Sequence, residues 1–438
     1  MTMVRAMARR SCRAGLRRLP ALCLVPMLAA GVPSPAAAAP RLEQVVLVVR
    51  HGVRAPLPGE VAAAAYADAP WPQWDTPPSQ LTAHGREAVR LSGDWLRRWL
   101  SGQGVLPVQG CPAPGSVAVR ANTDQRTIDS GLILAQALAP GCGLVAEHRP
   151  EGTHDPLFRP VEAGAVDFDA RAAVASILRE NGGPAALVAA HRPELEAMRE
   201  ILGCTRTPCD FAAMPSSLVP GEDGRGFALK GPVDLTSGTG EVLLLQYAQG
   251  MPLDQVGWGR ATSERLEQVS RLHALLFDIY ARPRYMAVRS GGPLAGELLR
   301  RLGDAGSPRV SLFVGSDNHI AALSSLLGVH FHLPGYGADD PPPGGALMVG
   351  LWRDPASGER SVRVEYLAQS LQQLRTLQPL DLEHPPLRQA LSPSICTDAA
   401  TPDGCPLDAF VRGLRASARP SCGKDAPADA DCPQWRRD

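Results

Sequence analysis

Gln44-Val45-Val46-Leu47-Val48-Val49 runs directly into Arg50-His51-Gly52-Val53-Arg54-Ala55-Pro56, and the reading of this junction decides the fold. A strand with one face in water alternates polar and apolar residues. A valine-rich run bounded by charge reads instead as a strand buried on both faces of a parallel sheet. In open α/β sheets ligands bind beyond the carboxyl ends of the strands, so the segment starting at Arg50 is where a site belongs. Two arginines flank a histidine there, and Gly52 allows the backbone to turn tightly and approach a ligand. Guanidinium groups grip phosphate oxygens through paired, charge-assisted hydrogen bonds. An imidazole beside them can attack phosphorus, because the cations offset its repulsion from the anion. A basic surface loop is the blander alternative, but such a loop has no reason to follow a core strand.

Outward from this junction the pattern alternates strand and helix. Residues 82–100 have helical spacing, with Ala83, Ala88, Leu91, Trp95 and Leu96 toward one side and Thr82 placed to cap the helix. Residues 117–121 read as a second strand, and 124–138 as a helix that Pro140-Gly141 stops. From 151 to about 260 apolar helical stretches (171–180, 183–191, 195–202 and 241–248) dominate, with few strand signals. A long amphipathic helix over 263–280 returns to the core. Residues 309–314 make a third buried strand followed by a helix over 318–327, and 346–351 with 361–366 resemble a terminal strand pair. The expected fold class is α/β: a mixed, largely parallel sheet flanked by helices, with a mostly helical inserted domain. The expected divisions are 1–39, 40–150, an insertion at 151–262, and 263–438 with a cysteine-rich tail.

The first 39 residues stand apart. Six arginines without an acidic residue precede an apolar stretch and the small-residue run Ala36 to Ala39. That order is a secretory signal peptide. The apolar stretch is short for a bilayer span and is broken by Pro20 and Pro26, so no membrane association is expected after cleavage. Removing six of the 44 basic residues leaves 38 against 44 acidic, a balance that excludes an electrostatic nucleic-acid binder. Eight cysteines then remain, an even number suited to disulfides in an oxidising compartment such as the periplasm. Spacing suggests Cys204 with Cys209, Cys396 with Cys405, Cys422 with Cys432, and Cys111 with Cys142. Zinc is the competing reading, but no paired C-x-x-C knuckles are present.

The segment from Arg50 to Pro56 resembles the Arg-His-Gly-x-Arg-x-Pro signature of the histidine acid phosphatase family, with every fixed position present. Gln80-Leu81-Thr82 with Gly85 resembles the family's Leu-Thr-x-x-Gly helix entry. The segment Ala121-Asn122-Thr123-Asp124-Gln125-Arg126-Thr127 is similar to the one that supplies a third phosphate-holding arginine. Asp155-Pro156-Leu157-Phe158, and the stretch from Gln246-Tyr247 to Gly257-Trp258-Gly259, are similar to the bacterial periplasmic branch, which contains phytases and glucose-1-phosphatases. The resemblance implies that His51 becomes a phosphohistidine, that Arg50, Arg54 and Arg126 hold the phosphate, and that Asp317 donates a proton to the departing alkoxide. For that role Asp317 must be protonated, which implies an acidic optimum. The partner implied is a small phosphate ester, and no cofactor is implied.

Ser316 departs from the family, which has histidine there. A hydroxyl donates one hydrogen bond but supplies no charge, a loss of about 1.5–3 kcal/mol if uncompensated. His319 could compensate in part or be a helix histidine without a role. His330 and His332 are spaced as a strand-borne metal pair, which two histidines alone do not establish; no metal is expected. Ser316 also motivates a rival reading, a non-catalytic protein that binds phosphate esters; an intracellular phosphoryl-transfer mutase fits the leader and cysteines poorly. For substrate, Trp74-Asp75 and Pro252-Leu253-Asp254-Gln255-Val256 resemble the glucose-1-phosphatase type, whereas Arg50 to Pro56 is closer to the phytase type. Leu57-Pro58 after Pro56 offers no cation to a polyphosphate.

Overall fold

The computed structural model describes residues 39–419, apart from 223, 225, 397, 398, 402 and 403. Residues 1–38 of the expected 39-residue leader, and the expected Cys422–Cys432 pair, lie outside the described residues. In chain order the elements are β1 (Arg41–Arg50), α1 (Ala83–Gly102), β2 (Val117–Ala121), α2 (Gln125–Leu138), β3 (Ala146–Glu147), α3 (Ala170–Asn181), α4 (Gly183–Ala190) and α5 (Arg192–Leu202). There follow β4 (Ser217–Pro220), β5 (Phe227–Lys230), α6 (Pro232–Ala248), α7 (Ser263–Tyr280), α8 (Arg284–Arg301), β6 (Val310–Gly315) and α9 (Asp317–Leu327). The chain ends with β7 (Ala346–Arg353), β8 (Arg360–Ala368), α10 (Leu371–Thr376), β9 (Leu387–Leu391), β10 (Cys405–Pro406) and α11 (Leu407–Ala418).

The main sheet has the order β10-β8-β7-β1-β6-β2-β3, with β9 paired to β8. β1 pairs with β6, β6 with β2, and β2 with β3 in parallel, whereas β7 closes the other side of β1 antiparallel. Because β8 is antiparallel to β7, it points the same way as β1, β2, β3 and β6. The sheet is therefore mixed with most strands running one way, as the sequence led us to expect.

β1 is buried on both faces. Val46 and Val48 enter one core with Phe313, Leu347 and residues of α8, α9 and α11. Val45, Leu47 and Val49 enter the other with Leu312, Val314 and residues of α1 and α2. Each such side chain contributes about 1.5–3 kcal/mol relative to exposure, which is why this strand tolerates no polar alternation. Thr82 caps α1 as expected, its Oγ1 accepting from Gly85 N at 2.8 Å, although Ala83 in the first turn stays exposed. Disulfides join Cys111 to Cys142, Cys204 to Cys209 and Cys396 to Cys405, with Cα separations of 5.6, 5.8 and 5.9 Å. Among the described residues no helix is long and apolar enough to cross a membrane.

The β4–β5 hairpin, α8 and the first half of α6 escape the hydrophobic pattern. The β4–β5 hairpin is mostly exposed and presents little apolar periodicity. α8 contains Gly291-Gly292-Pro293, which reads as a breaker, yet Gly291 lets the helix press on α9: a Cβ there would sit 3.1 Å from Ala322 Cβ. α6 begins nine residues before the expected 241, at Pro232, because its first half is buried through small residues. A Cβ on Gly238 would lie 2.6 Å from Glu60 Cα, and one on Gly240 2.7 Å from the Val269 carbonyl. A helix covered on all sides shows no amphipathic stripe.

Candidate active site

Three adjacent strands, β1, β6 and β2, end at one place. Past the end of β1, His51 N donates to the Gly315 carbonyl at the end of β6 (3.0 Å), and Asn122 N, just past β2, donates to the Val314 carbonyl (2.9 Å). On the other side Gly344 N donates to the His51 carbonyl at 2.9 Å. Arg50-His51, Ser316-Asp317 and, one residue inside α2, Arg126 are thereby brought to neighbouring strand ends. Gly52 serves a different purpose from the one expected of it. Its φ is not positive; the residue is small so that the loop can lie on α1. A Cβ on Gly52 would meet Val89 Cγ2 at 2.6 Å, and one on Gly85 would meet the Val53 carbonyl at 2.0 Å.

His51 is 1% exposed, and its Nδ1 lies 2.9 Å from the Gly52 carbonyl. A carbonyl can only accept, so Nδ1 carries the hydrogen and Nε2 keeps its lone pair. Burial, and then the charges of Arg126, Arg50 and Arg54, push the imidazole pKa well below its ordinary value. All three guanidinium groups thus act on one ring.

Each arginine is tethered at its tip. Arg50 donates through Nη1 to the Pro341 carbonyl and through Nη2 to Glu241, and its Nη2 is 2.8 Å from Asp317 Oδ2. Arg54 grips Glu60 with both Nη atoms, at 2.7 and 2.5 Å. Arg126 donates to the Ser79 carbonyl at 3.5 Å and sits 3.3 Å from Asp124. The Nε–H of each of the three is buried without a hydrogen-bond partner. A buried unpaired donor costs about 1–3 kcal/mol. Three of them, on the arginines that act on one imidazole, form a set of donors suited to an oxyanion.

Asp317 is positioned by its own helix, Oδ1 accepting from Asn318 N at 2.8 Å. Burial alone would raise its pKa, but Arg50, His273, His51 and Arg54 prevail and hold the carboxyl well below the usual range. Paired with Arg50 it is ionised, so the protonated form required of a donor is not the form this pairing favours. Ser316 is partly exposed at the N-terminus of α9. His319 is turned away from the phosphate-site role: its Nδ1 accepts from Ser316 N at 2.8 Å and its Nε2 meets the Phe158 carbonyl at 2.7 Å. Burial lowers its pKa, so it does not supply the cation that Ser316 lacks. His330 and His332 are exposed and pair with Asp339 and Glu267, respectively. Among the described residues no group of three or more His, Cys, Asp or Glu is arranged to hold a metal ion.

Sequence reasoning missed the groups that hold the arginines. Glu60 was passed over beside Pro58-Gly59. Glu241, fully buried on α6, is the acid that heads the run Val242-Leu243-Leu244-Leu245, and an acid in such a run needs a buried partner. Beyond Glu241, His273 Nδ1 lies 2.7 Å from Asp340 Oδ1 and 3.4 Å from Glu241 Oε2. Burial opposes its charge, but Asp340 and Glu241 push its pKa up to about 9.

The model of the histidine phosphatase superfamily (branch 2) matches residues 41–201. The chain is 31% identical over 410 residues to phytase AppA of Escherichia coli K12, covering 87% of this chain and 93% of that protein. It is 30% identical over 395 residues to a glucose-1-phosphatase of Salmonella typhimurium, covering 86% and 93%. Among solved structures, a Hafnia alvei phytase in complex with tartrate superimposes with a TM-score of 0.81 at 35% identity, covering 89% of this chain and 99% of that one. A Citrobacter braakii phytase gives 0.80 at 32% identity, covering 86% and 98%. With this identity, coverage and shared architecture, the chain belongs to the histidine phosphatase superfamily, branch 2.

Proposed function

We propose that this phosphatase hydrolyses phosphomonoesters in two steps, with His51 as the nucleophile. Nε2 of His51 attacks phosphorus, the bond from phosphorus to the ester oxygen breaks, and Asp317 gives its proton to that oxygen. Water then attacks the phosphohistidine, Asp317 takes up a proton, and phosphate leaves with the His51 ring restored. Arg50, Arg54 and Arg126 hold the phosphoryl oxygens throughout, and Ser316 offers a hydroxyl at the same strand ends. The observation that carries this reading is the set of three buried, unpartnered Nε–H donors on the arginines that act on His51.

The proton on Asp317 arrives through the substrate. A phosphate dianion that shares Arg50 weakens the pairing that keeps Asp317 ionised and adds a like charge beside it, and both effects raise the carboxyl pKa. The leader and the cysteine pairs support a periplasmic setting.

For the substrate, the names of the relatives support phytate or glucose 1-phosphate. Immediately after Arg54, residues Ala55 to Pro58 form one side of a cavity of about 340 Å³ whose other walls include Trp71, Trp74 and Val242, with no charged residue in the lining. Such a wall favours a single phosphate on a neutral leaving group over a polyphosphate, so a sugar monophosphate is preferred to phytate. Ser316 favours the second reading, a phosphate-ester binder with little or no turnover.

Hydrolysis of p-nitrophenyl phosphate between pH 3 and 7 decides between them. Phosphate release by the wild type and none above background by His51→Ala is the expected result; equal rates in the two proteins would exclude catalysis. Comparing glucose 1-phosphate with phytate then orders the substrates, and a higher kcat/KM for phytate would reject the preference stated here.

A further inference from the structure

A strap runs from β2 to His319, two residues past the proposed acid. Arg120 Nη2, on β2, holds both oxygens of the fully buried Asp155 at 3.0 and 2.9 Å, and Asp155 Oδ1 accepts from Leu157 N at 2.9 Å. This fixes the segment that ends on Phe158. The Phe158 ring meets His319 edge to face at 5.3 Å, and its carbonyl lies 2.7 Å from His319 Nε2. Across the ring, Ser316 N donates to Nδ1 at 2.8 Å. The carbonyl only accepts, so Nε2 must carry a hydrogen. The peptide N–H only donates, so Nδ1 must be bare. His319 is committed on both sides to one neutral tautomer. Gly315 completes the fit, since a Cβ there would fall 2.5 Å from Nδ1.

We propose that His319 is a positioning residue for Asp317: neutral, it holds the Ser316 peptide and the first turn of α9; protonated, it releases them and so sets the acid limit of the reaction. The inference rests on the phosphatase reading above. Protonation of Nδ1 sets two N–H groups against each other and leaves the Ser316 N–H without its acceptor. The nearest acceptor for the new proton is the Ser316 hydroxyl, 3.1 Å away, so the ring exchanges a backbone tether for a side-chain one. Asp317 directly follows the released peptide. The charged groups that face the ring are Asp317 on α9, Asp124 at the head of α2 and Arg159 after the strap. Burial, the largest influence, and Arg159 oppose protonation, whereas the Phe158 carbonyl and the two aspartates favour it. The net effect places the titration on the acid side, where a carboxylic-acid donor works.

The test is the pH dependence of p-nitrophenyl phosphate hydrolysis by the wild type, His319→Gln and His319→Ala. Glutamine at the third position of a helix supplies an acceptor for the N-cap peptide at any pH. His319→Gln is expected to restore the rate that His319→Ala loses and to move the acid midpoint down by about one pH unit or more. The same acid midpoint in wild type and His319→Gln overturns the proposal, as does a glutamine variant no faster than alanine while both melt like the wild type at pH 6. If the wild type hydrolyses nothing, the phosphatase reading fails, and ¹⁵N NMR of the histidine rings decides the tether by itself. A bare Nδ1 on His319 at pH 7, whose protonation shifts the Ser316 amide, supports it; the opposite tautomer or a charged ring at pH 7 overturns it.

Discussion

His51 and His273 are buried to nearly the same degree, 1% and 4% exposed, and both act on Asp317. Burial disfavours the charge on each. Yet His51 is pushed well below the ordinary histidine pKa, and His273 is raised to about 9. The difference lies in what surrounds them. His51 sits among three arginines, His273 between Asp340 and Glu241. Arg50 joins the two regions, because Glu241 holds it from one side while Asp317 pairs with it from the other. One region keeps an imidazole neutral with a lone pair on Nε2, and the other keeps one charged so that the carboxylates behind Arg50 are compensated.

The comparison can be broken most severely on the pocket side. With an alkyl phosphate, Asp317→Asn should lower kcat by on the order of 10²–10⁴-fold, the ordinary worth of a general acid. With p-nitrophenyl phosphate, whose leaving group needs little protonation, the loss should be much smaller. Equal losses with both esters would remove Asp317 from the donor role.

On the other side, Glu241→Ala leaves Arg50 with one carboxylate fewer and His273 with only Asp340. Breaking a buried pair in this way costs about 3–5 kcal/mol, measurable as a lowered unfolding free energy in denaturant. A loss under about 1 kcal/mol would show that the cluster does not act as a unit.

Ser316→His sharpens the comparison by adding a titratable cation at the head of α9. If one charge-assisted contact is missing, phosphate binding or turnover should improve about tenfold to a hundredfold below the pKa of the new histidine. An unchanged inhibition constant for inorganic phosphate, together with unchanged kcat/KM, would mean that the three arginines already suffice.

A further effect concerns stability and pH. His273 has its pKa raised on folding, so its contribution is fully present below its unfolded value near 6.5 and is lost as pH rises toward about 9. Wild-type unfolding free energy should decline across that window, and His273→Gln should flatten the decline. A slope identical in the two proteins would show that His273 does not carry the charge assigned to it.

The sequence made the front of this site legible and hid the back. Arg50, His51, Arg54 and Arg126 lie beside strand ends, and polar residues beyond a buried strand invite a chemical explanation. Glu60, Glu241, His273 and Asp340 gave weaker signals. They come from a 3-10 helix, an all-round buried α-helix, an amphipathic helix and a Gly/Pro-rich turn, and nothing in their spacing says that they meet. α8 and the first half of α6 went unread for a related reason, since the small residues of both are set by what neighbouring elements leave room for.

By itself, then, the order of residues determined that a doubly buried strand ends in a basic, imidazole-bearing loop, because hydrophobic burial and strand periodicity are local properties of the chain. Only the tertiary structure decided which charge each histidine carries, and that His319 ties down a peptide in place of serving the phosphate. Those outcomes depend on distances between groups far apart in the chain, 161 residues in the case of Phe158 and His319, and electrostatic and hydrogen-bond energies follow distance in space.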